Sequence, residues 1–314
     1  MIDPAWDEAV GVVRDLTGDT AASMLAPLKQ GKSDVFLVGR GADRPPVVAK
    51  RAREATVDNE RRILELLRLA PVRSLRLYGV ACASRPGTKW LVTEYAAGDP
   101  FDRQSARHRQ LAGEWLAHLH LWSEGVGPLS LPDRGPSYHR AVVQEALATL
   151  DAAERALSGG AVDLEPLRGL RAVAQNLLER WDEIEQTLSA APPVLVHSGF
   201  ADKNVVIWDQ AEEPAVLAFD WEQGGWGSGA ADLSMVDVDA YLGVRGRLAD
   251  AATTTIRRLA LIGRVLWCLA PVPGERPNLL GPWPERALRK LPAYLSWSGE
   301  ALDELSAQVG RATR

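Results

Sequence analysis

The sequence predicts an α+β protein of two lobes, an N-terminal antiparallel sheet with one main helix followed by a mostly helical lobe. Three observations lead to this prediction. The chain has 314 residues, which exceeds the commonest size of a domain with a single core. Short apolar runs separated by turns dominate at first, and amphipathic helical patterns dominate from residue 102 onward. We therefore expect lobes at residues 1–97 and 98–314.

The first lobe is predicted in the order strand, strand, helix, strand, strand, after an initial helical segment. The expected elements are a helix at 6–16, a hairpin with a strand at 35–38, a strand at 46–50, a helix at 59–69, and strands at 74–80 and 90–95. Glycine and proline residues punctuate the connections, as in the turn Arg85-Pro86-Gly87.

The second lobe is predicted to be helical apart from one short β-rich insert. Amphipathic patterns cover 110–122 and 141–157, and one long helix is expected at 164–188. The insert contains apolar runs at 194–197, 205–208 and 216–220. Most of the polar residues of interest follow these runs, so the chemistry is expected in the loops after the strands.

The composition excludes several classes of protein. A formal net charge of −5 and a pI near 5.7 argue against nucleic-acid binding and favour a cationic or neutral partner. Cys82 and Cys268 stand far apart in no metal-binding or disulfide-rich pattern. The N-terminus lacks the basic region of a signal peptide, and no apolar run approaches the length of a membrane span. We expect a cytoplasmic protein.

Three polar clusters follow the strands of the insert. They are the stretch 197–204, His-Ser-Gly-Phe-Ala-Asp-Lys-Asn, then Asp220, and then Ala-Ala-Asp-Leu at 230–233. This order resembles the HGDxxxxN motif, the DFG-like aspartate and the AADLA-like helix start of the aminoglycoside phosphotransferase and choline-kinase-like family. The resemblance covers nearly the whole chain. It implies a protein-kinase-like fold, ATP and Mg²⁺ as cofactors, and a small-molecule acceptor with a hydroxyl group.

The resemblance assigns Asn204 and Asp220 as the two ligands of Mg²⁺. Phosphoryl transfer requires a side-chain oxygen and a carboxylate that converge on the metal from loops of adjacent strands, which agrees with their spacing. His197 and Asp232 match residues with a structural role. Asp232 is expected to be a helix N-cap that ties the loop together.

Gly199 is the departure from the family pattern. The family has an aspartate at this position, where it orients or accepts the proton of the acceptor hydroxyl. Loss of a positioned general base lowers rates by about 10²- to 10⁴-fold. Asp202 is the nearest substitute base, and the alternative is a solvated loop carboxylate or an Asx turn.

Lys50 and Glu60 form the predicted phosphate-positioning pair. Lys50 ends a Val-Val-Ala-Lys strand similar to the kinase strand that delivers a lysine to the α- and β-phosphates. Glu60 lies in the next helix and would hold the lysine by an ion pair, with Asp58 and Glu54 as weaker candidates. Taken singly, each residue could be a solvated surface charge, but the pair in this order favours the functional interpretation.

The remaining nucleotide contacts are implied by the resemblance. Ser33, in the turn at 28–36, is the expected phosphate contact, although Gly31 could simply serve a tight turn. The segment after the last strand resembles the kinase hinge, at about 93–98. There the Glu94 carbonyl and the Ala96 amide would bind the adenine edge, and Thr93 would be the gatekeeper. The alternative is an ordinary edge strand.

The sequence leaves the acceptor open. Carboxylates would suit an aminoglycoside, a basic peptide antibiotic or a choline-like cation, and aromatic side chains would suit a macrolide, unless most of them are packing residues. The candidates are Glu222, Asp237, Asp239, Trp221, Trp226, Trp267, Trp283 and Trp297. The leading hypothesis is an ATP-dependent O-phosphotransferase of the antibiotic-resistance type, and the alternative is an inactive pseudokinase or ligand-binding protein.

Overall fold

The computed structural model of the chain describes residues 4–31, 33–127, 130–159, 162–208, 214–246 and 249–312. Within these residues it has one five-stranded sheet, two three-stranded sheets and helices that lie mostly beyond residue 106. The predicted α+β class is confirmed. The chain divides into two compact units, Met1–Leu111 with Gly199–Gly224, and Ala112–Ser198 with Gly225–Arg314. The functional boundary at about residue 98 stays a prediction.

Strands and helices of the described residues are numbered in chain order. The strands are β1 Ala22–Lys29, β2 Asp34–Arg40, β3 Arg44–Arg53, β4 Leu77–Cys82, β5 Thr88–Glu94, β6 Asp99–Pro100, β7 Asp133–Arg134, β8 Val194–Val196, β9 Val205–Trp208, β10 Ala215–Ala218 and β11 Gly225–Gly227. The helices are α1 Pro4–Thr17, α2 Glu54–Leu67, α3 Ala106–Glu124, α4 Pro136–Leu157, α5 Glu165–Glu179, α6 Trp181–Ser189, α7 Ala230–Leu233, α8 Val238–Arg245, α9 Asp250–Leu269, α10 Arg276–Leu279, α11 Glu285–Leu288 and α12 Leu291–Ala312.

The five-stranded sheet has the antiparallel order β1-β2-β3-β5-β4. Helix α1 covers one face because its apolar residues recur at helical spacing, and Ala9 and Val13 pack into a fully buried cluster with Phe36 and Ala49. Side chains alternate between the two faces of a strand, so Lys50 projects from the face opposite to Ala49. The sheet thereby holds a charged side chain away from its apolar core.

A second sheet, of order β10-β9-β6, positions the residues that follow its strands. In the antiparallel β9–β10 pair, Val205 lies opposite Ala218. Strand β9 begins directly after Asn204, and β10 ends two residues before Asp220, so both residues lie at the same end of this pair. Gly98, with φ of +155°, precedes β6, and a Cβ there would collide with the Ile207 carbonyl oxygen.

The second unit is built around α9, whose apolar side chains are buried along most of its length. Helix α7 lies close against α9 because residue 263 is glycine, and a Cβ at that position would collide with the Ala230 carbonyl oxygen. Strand β8 pairs with β11, which pairs with β7. The strand segments expected in one insert therefore belong to two different sheets.

The long helix expected at 164–188 is wrong, because the chain forms α5 and α6 with a break at Arg180. This residue has φ of −101° and ψ of 20°, outside the helical region. Its guanidinium group binds Glu183 in the first turn of α6, at 2.9 Å from Nη2 to Oε2. The apolar spacing continues across the break, so periodicity alone did not reveal it. No helix in the described parts of the chain has the length and apolarity of a membrane span.

Candidate nucleotide and metal site

A cluster of one lysine and three carboxylates forms in the first unit, in which Lys50 and Glu60 are buried and Asp220 and Glu222 are partly exposed. Lys50 of β3 lies with its Nζ 2.9 Å from Oε2 of Glu60, which α2 supplies. The same Nζ contacts Oδ1 of Asp220 and lies 3.5 Å from Oε2 of Glu222. Asp58, a weaker candidate for the glutamate role, instead pairs with Lys89 at 2.8 Å. The structure thus brings together Lys50, Glu60 and Asp220 from three separate segments.

The charges in this cluster do not balance. Lys50 and Glu60 are 7% and 4% exposed, so little water screens them. Burial disfavours the charge of Lys50, but the attraction of Glu60 and Asp220 outweighs it and raises the pKa of Lys50. Burial also raises the pKa of Glu60, and repulsion by Asp220 and Glu222 adds to this effect. One ammonium facing three carboxylates leaves an excess of negative charge that a cation would neutralise.

Helix α2 fixes the segment that carries Asp220. The second oxygen of Glu60 accepts a hydrogen bond from the Trp221 amide at 3.2 Å. The Asn59 side chain donates to the Gly224 carbonyl at 3.0 Å. Asp220 itself has a left-handed conformation, with φ of 64°, which is uncommon for a residue other than glycine. These hydrogen bonds hold the strained residue in place.

Asn204 contacts Phe219, the residue before Asp220, and its side-chain amide is oriented by the main chain. Its Nδ2 donates to the Gly199 carbonyl at 2.8 Å, so Oδ1 points the other way. The Phe219 amide donates to the Asn204 carbonyl at 2.9 Å, which connects the two loops directly before Asp220. An amide oxygen and a carboxylate at adjacent strand ends, beside excess negative charge, suit a hard divalent cation such as Mg²⁺. The described residues contain no preformed group of three or more His, Cys, Asp or Glu ligands.

Asp202 begins the 3₁₀ turn Asp202–Asn204. Its side chain is 46% exposed, and one carboxylate oxygen lies 3.7 Å from Nε of Arg103. This environment is that of a solvated loop carboxylate, which was the alternative interpretation of Asp202 from the sequence. The role of Asp202 as a substitute base stays a prediction.

In the second unit, Asp232 holds the start of the motif. Its two carboxylate oxygens accept hydrogen bonds from the His197 and Ser198 amides, at 2.6 and 2.9 Å. Burial raises the pKa of Asp232 to about 7, although the two amide hydrogen bonds act in the opposite direction. The expected N-cap role is wrong, because Gly229 is the N-cap of α7 and Asp232 lies within the helix. The carboxylate faces the motif rather than the helix terminus.

The other predicted nucleotide contacts lie in the first unit. Ser33 is buried in the turn between β1 and β2, and its neighbour Lys32 lies outside the described residues. Glu94 ends β5, with its carboxylate 2.9 Å from Arg73, and Ala96 follows in the connection to β6. Their binding roles stay predictions, because they depend on main-chain groups meeting a ligand.

Sequence reasoning missed an apolar row next to Lys50. Leu37, Val48 and Thr93 lie directly opposite one another on β2, β3 and β5, on the same face as Lys50. Leu37 and Val48 are only partly buried, whereas the residues of the other face that pack with helix α1 are buried. Strand register could have revealed this row, but the sequence does not state which strands are neighbours.

The tryptophans of the expected acceptor cleft differ in burial and in contacts. Trp221 and Trp226 are buried, which agrees with the packing alternative. Trp267 and Trp297 stack with ring centroids 5.7 Å apart. Trp283 is 77% exposed. No acceptor surface follows from this arrangement.

The acidic candidates also have local partners. Asp237 caps α8 by accepting hydrogen bonds from two amides of its first turn, and Asp239 contacts Arg257. Glu222 belongs to the Lys50 cluster. These contacts give each carboxylate a structural explanation that the sequence did not reveal.

Comparison with known proteins shows the family and the fold of the chain. A family model described as the phosphotransferase enzyme family matches residues 25–262. No curated protein matches the sequence at a significant level. Among solved structures, a microcompartment-associated aminopropanol kinase is 15% identical with a TM-score of 0.64, covering 95% of this chain and 98% of its own.

Two further structures support the same fold. Choline kinase from Cryptosporidium parvum is 12% identical with a TM-score of 0.60, covering 94% of this chain and 96% of its own. A spectinomycin phosphotransferase in complex with ADP and spectinomycin is 12% identical with a TM-score of 0.58, covering 94% of this chain and 93% of its own. At these identities the likeness concerns the fold, and the predicted kinase-like fold is confirmed.

Proposed function

Because the chain belongs to the phosphotransferase enzyme family, we propose that it binds ATP and transfers a phosphoryl group to a hydroxyl group of a small molecule. The observation that carries this proposal is the convergence of Lys50, Glu60 and Asp220, with Asn204 bonded to the main chain of Phe219 directly before Asp220. A purely structural protein has no need for an ammonium and three carboxylates in one partly buried cluster, because withdrawing these charges from water costs free energy.

Lys50 is the proposed contact to the α- and β-phosphates, held in place by Glu60. The apolar row of Leu37, Val48 and Thr93 would cover one face of the purine. The Glu94 carbonyl and the Ala96 amide would bind its edge, and Ser33 would contact a phosphate. The register of strands β2, β3 and β5 supports this arrangement, because Leu37, Val48 and Thr93 lie on the same face of the sheet as Lys50.

Asn204 and Asp220 are the proposed ligands of Mg²⁺. The observation in favour is the oriented Asn204 amide next to a carboxylate, in a cluster with excess negative charge. When bound, the metal supplies positive charge that neutralises the phosphate oxygens. Asp220 would hold the metal together with Asn204, and Glu222, 3.5 Å from Nζ of Lys50, would remain beside the lysine.

Transfer without an aspartate at position 199 is proposed to be slow. Phosphoryl transfer depends mainly on positioning and on electrostatic stabilisation, so the remaining groups retain catalytic value. Asp202, whose side chain is 46% exposed, is the proposed stand-in for the base. We expect turnover about 10²- to 10⁴-fold below that of a variant with aspartate at position 199.

The acceptor is proposed to be an antibiotic or a related natural product, in the cytoplasm, where ATP is present. Support comes from the spectinomycin phosphotransferase, whose structure contains an antibiotic, and from the net charge of −5, which favours cationic acceptors. Choline kinase and aminopropanol kinase act on small amino alcohols by their names, and such compounds belong in the same screen.

A second candidate function is ligand binding without transfer. The specific observation in its favour is Gly199, which removes the acceptor-orienting carboxylate but leaves the Lys50 cluster in place. Such a protein would bind ATP with Mg²⁺ and would not phosphorylate any acceptor.

The test is a calorimetric titration of the whole protein with ATP, with and without Mg²⁺. We expect metal-dependent binding that weakens by about 10- to 100-fold in Lys50→Met, since a charge-assisted hydrogen bond is lost. Lys89→Met is the matched control, because Lys89 pairs with Asp58 outside the cluster. The proposal would be rejected if the protein does not bind ATP, or if Lys50→Met and Lys89→Met bind ATP equally tightly.

A further inference from the structure

The connection between α10 and α11 carries an exposed apolar tip. Its residues are 280–284, with the sequence Leu-Gly-Pro-Trp-Pro. Trp283 is 77% exposed, the largest fraction among the exposed large hydrophobic side chains of the described residues, and Leu280 is 43% exposed. Single exposed apolar side chains are common on protein surfaces, but neighbouring ones indicate a contact surface. We call residues 280–284 the tryptophan tip.

The main chain of the tryptophan tip has few groups that need water. Pro282 and Pro284 have no amide hydrogen, so Trp283 carries the only amide hydrogen of the last three tip residues. The Leu280 and Gly281 amides donate to carbonyl groups of α10, at 3.0 and 3.2 Å. The Pro284 carbonyl accepts hydrogen bonds from two amides of α11, both at 3.0 Å. Because these groups are already paired within the chain, they keep their hydrogen bonds when the tip leaves water.

Arginine side chains flank the tryptophan tip in the chain. Arg276 precedes it and Arg286 and Arg289 follow it, and all three are exposed. Within the described parts of the chain none of the three forms an ion pair, whereas Lys290 is paired with Glu275. The four basic and two acidic side chains from Glu275 to Lys290 give a local net charge of +2, although the whole chain has a net charge of −5. The tip therefore lies within a locally positive segment.

This combination is complementary to an anionic lipid bilayer. Tryptophan is favoured at membrane interfaces, because its ring is apolar and its indole N–H still reaches polar headgroups. Arginine and lysine near the surface are attracted to anionic lipids. A nucleic acid would also attract arginine and could stack on the ring of Trp283, but it gives no apolar environment to Leu280 and the exposed Pro282. A bilayer accommodates all three side chains.

The size of the surface favours a bilayer over a protein partner. A specific protein–protein interface covers about 800 Å² on each partner and has a packed apolar centre. The exposed apolar side chains of the tip belong to Leu280, Pro282 and Trp283, and even a fully buried tryptophan contributes only about 150–250 Å². A bilayer requires only a protruding tip and nearby cations, since lipids adapt to the shape of the tip.

We propose that residues 275–290 are a peripheral contact to an anionic lipid bilayer, in which Trp283 enters the headgroup region and Arg286 and Arg289 bind lipid phosphates. The contact is reversible, because few side chains contribute to it. It is also salt-dependent, because salt screens exposed charges. The contact uses no residue of the Lys50 cluster, so it does not depend on the proposed phosphoryl transfer.

The experiment measures co-sedimentation of the full chain with vesicles of phosphatidylglycerol and phosphatidylcholine in equal parts, and with vesicles of phosphatidylcholine alone. We expect binding to the mixed vesicles that weakens as salt is added. Trp283→Ser is expected to weaken this binding at least about 10-fold. Arg286→Gln with Arg289→Gln should weaken it by about 25-fold, since each arginine near an anionic surface contributes about 5-fold. At saturating vesicle concentration, brominated lipid should quench the tryptophan fluorescence of the unmodified protein more than that of Trp283→Ser.

Leu69→Ser with Arg68→Gln is the matched control for Trp283→Ser with Arg286→Gln. Leu69 is 73% exposed, and Arg68 is its exposed neighbour, outside the proposed contact. All four residues are exposed, so their replacement is expected to leave folding unaffected. The control variant should bind the mixed vesicles as the unmodified protein does.

Three results with vesicles overturn the proposal. They are no binding of the protein to the mixed vesicles, equally tight binding to phosphatidylcholine alone, and equal binding of the two double variants. Soluble polyglutamate and single-stranded DNA are tested in parallel. If either binds more tightly than the vesicles do, and Trp283→Ser abolishes that binding, the surface belongs to a protein or a nucleic acid and the lipid proposal is also overturned.

Discussion

Replacement of Lys50 by methionine tests the charge balance of the buried cluster. Methionine keeps the length and apolar stem of the side chain but leaves Glu60, Asp220 and Glu222 without their shared cation. At 2.9 Å, the Lys50–Glu60 attraction amounts to about 6 kcal/mol with an effective dielectric constant of about 20. Desolvation of the lysine offsets part of this, so we expect Lys50→Met to cost about 3–5 kcal/mol at neutral pH.

The cost is expected to depend on pH with a definite sign. Burial raises the pKa of Glu60 above its ordinary value already in the presence of Lys50, and loss of the cation raises it further. A raised folded-state pKa means that the folded protein retains its proton longer than the unfolded chain does. The free energy that Glu60 contributes to stability is therefore present at low pH and is lost as the pH rises through the folded-state pKa of this group. Lys50→Met should be least destabilised in acid.

Urea unfolding followed by tryptophan fluorescence measures this effect, since Trp221 is buried and its amide binds Glu60. Lys50→Met, Lys50→Met with Glu60→Gln, and Lys89→Met are compared at about pH 5 and about pH 8. The double variant should recover part of the loss at pH 8, because glutamine carries no charge. A cost of Lys50→Met below about 1 kcal/mol, equal at both pH values, would refute an ionised buried cluster.

Three further predictions concern the motif and the residues that support it. Gly199→Asp should raise the rate of phosphoryl transfer to any accepted substrate by about 10²- to 10⁴-fold in a coupled ADP-release assay, and an unchanged rate with ATP still bound would favour the binding function. Asp202→Asn should lower turnover by more than about 10-fold because it removes the proposed stand-in base, and turnover that stays within about 2-fold would reject this role. Burial raises the pKa of Asp232 to about 7, and Asp232→Asn removes this titrating group. The free energy of unfolding of the unmodified protein, measured relative to that of Asp232→Asn, should therefore fall by up to about 4 kcal/mol as the pH rises from about 4 to about 8. A stability difference that stays constant with pH in urea titrations would contradict the raised pKa of Asp232.

Much of the fold was predictable because its signals are local. The helix at 6–16 and the helix at 59–69 correspond to α1 and α2, since apolar spacing and helix formation depend on the same residues. The break at Arg180 was missed because it interrupts the main chain without interrupting the apolar pattern. Strand pairing was predictable only for strands that are neighbours in the sequence. Strand β8 instead pairs with β11, and β9 and β10, which lie between them in the sequence, belong to another sheet.

Site residues that belong to the family motif were predictable from the sequence. Residues that reach the site only through a turn or through strand register were less predictable. The resemblance pointed to Lys50, Glu60 and Asp220, and the structure brings these three together. Glu222 was expected near the acceptor, yet it lies beside Lys50 because the turn after Asp220 returns its side chain to the cluster. The Leu37–Val48–Thr93 row follows from strand register, which a single sequence does not contain.

The hydrogen bonds around residue 199 explain why glycine at this position leaves the proposed nucleotide and metal site in place. Asn204 is oriented by the main-chain carbonyl of Gly199, a group that every amino acid supplies. Asp220 is held through the Trp221 amide and Glu60, and its contact with Lys50 also involves no side chain at position 199. The proposed metal and phosphate groups are thus positioned independently of the missing carboxylate. Glycine removes one side chain from the acceptor side of the reaction, which is why restoring that single aspartate is the decisive substitution.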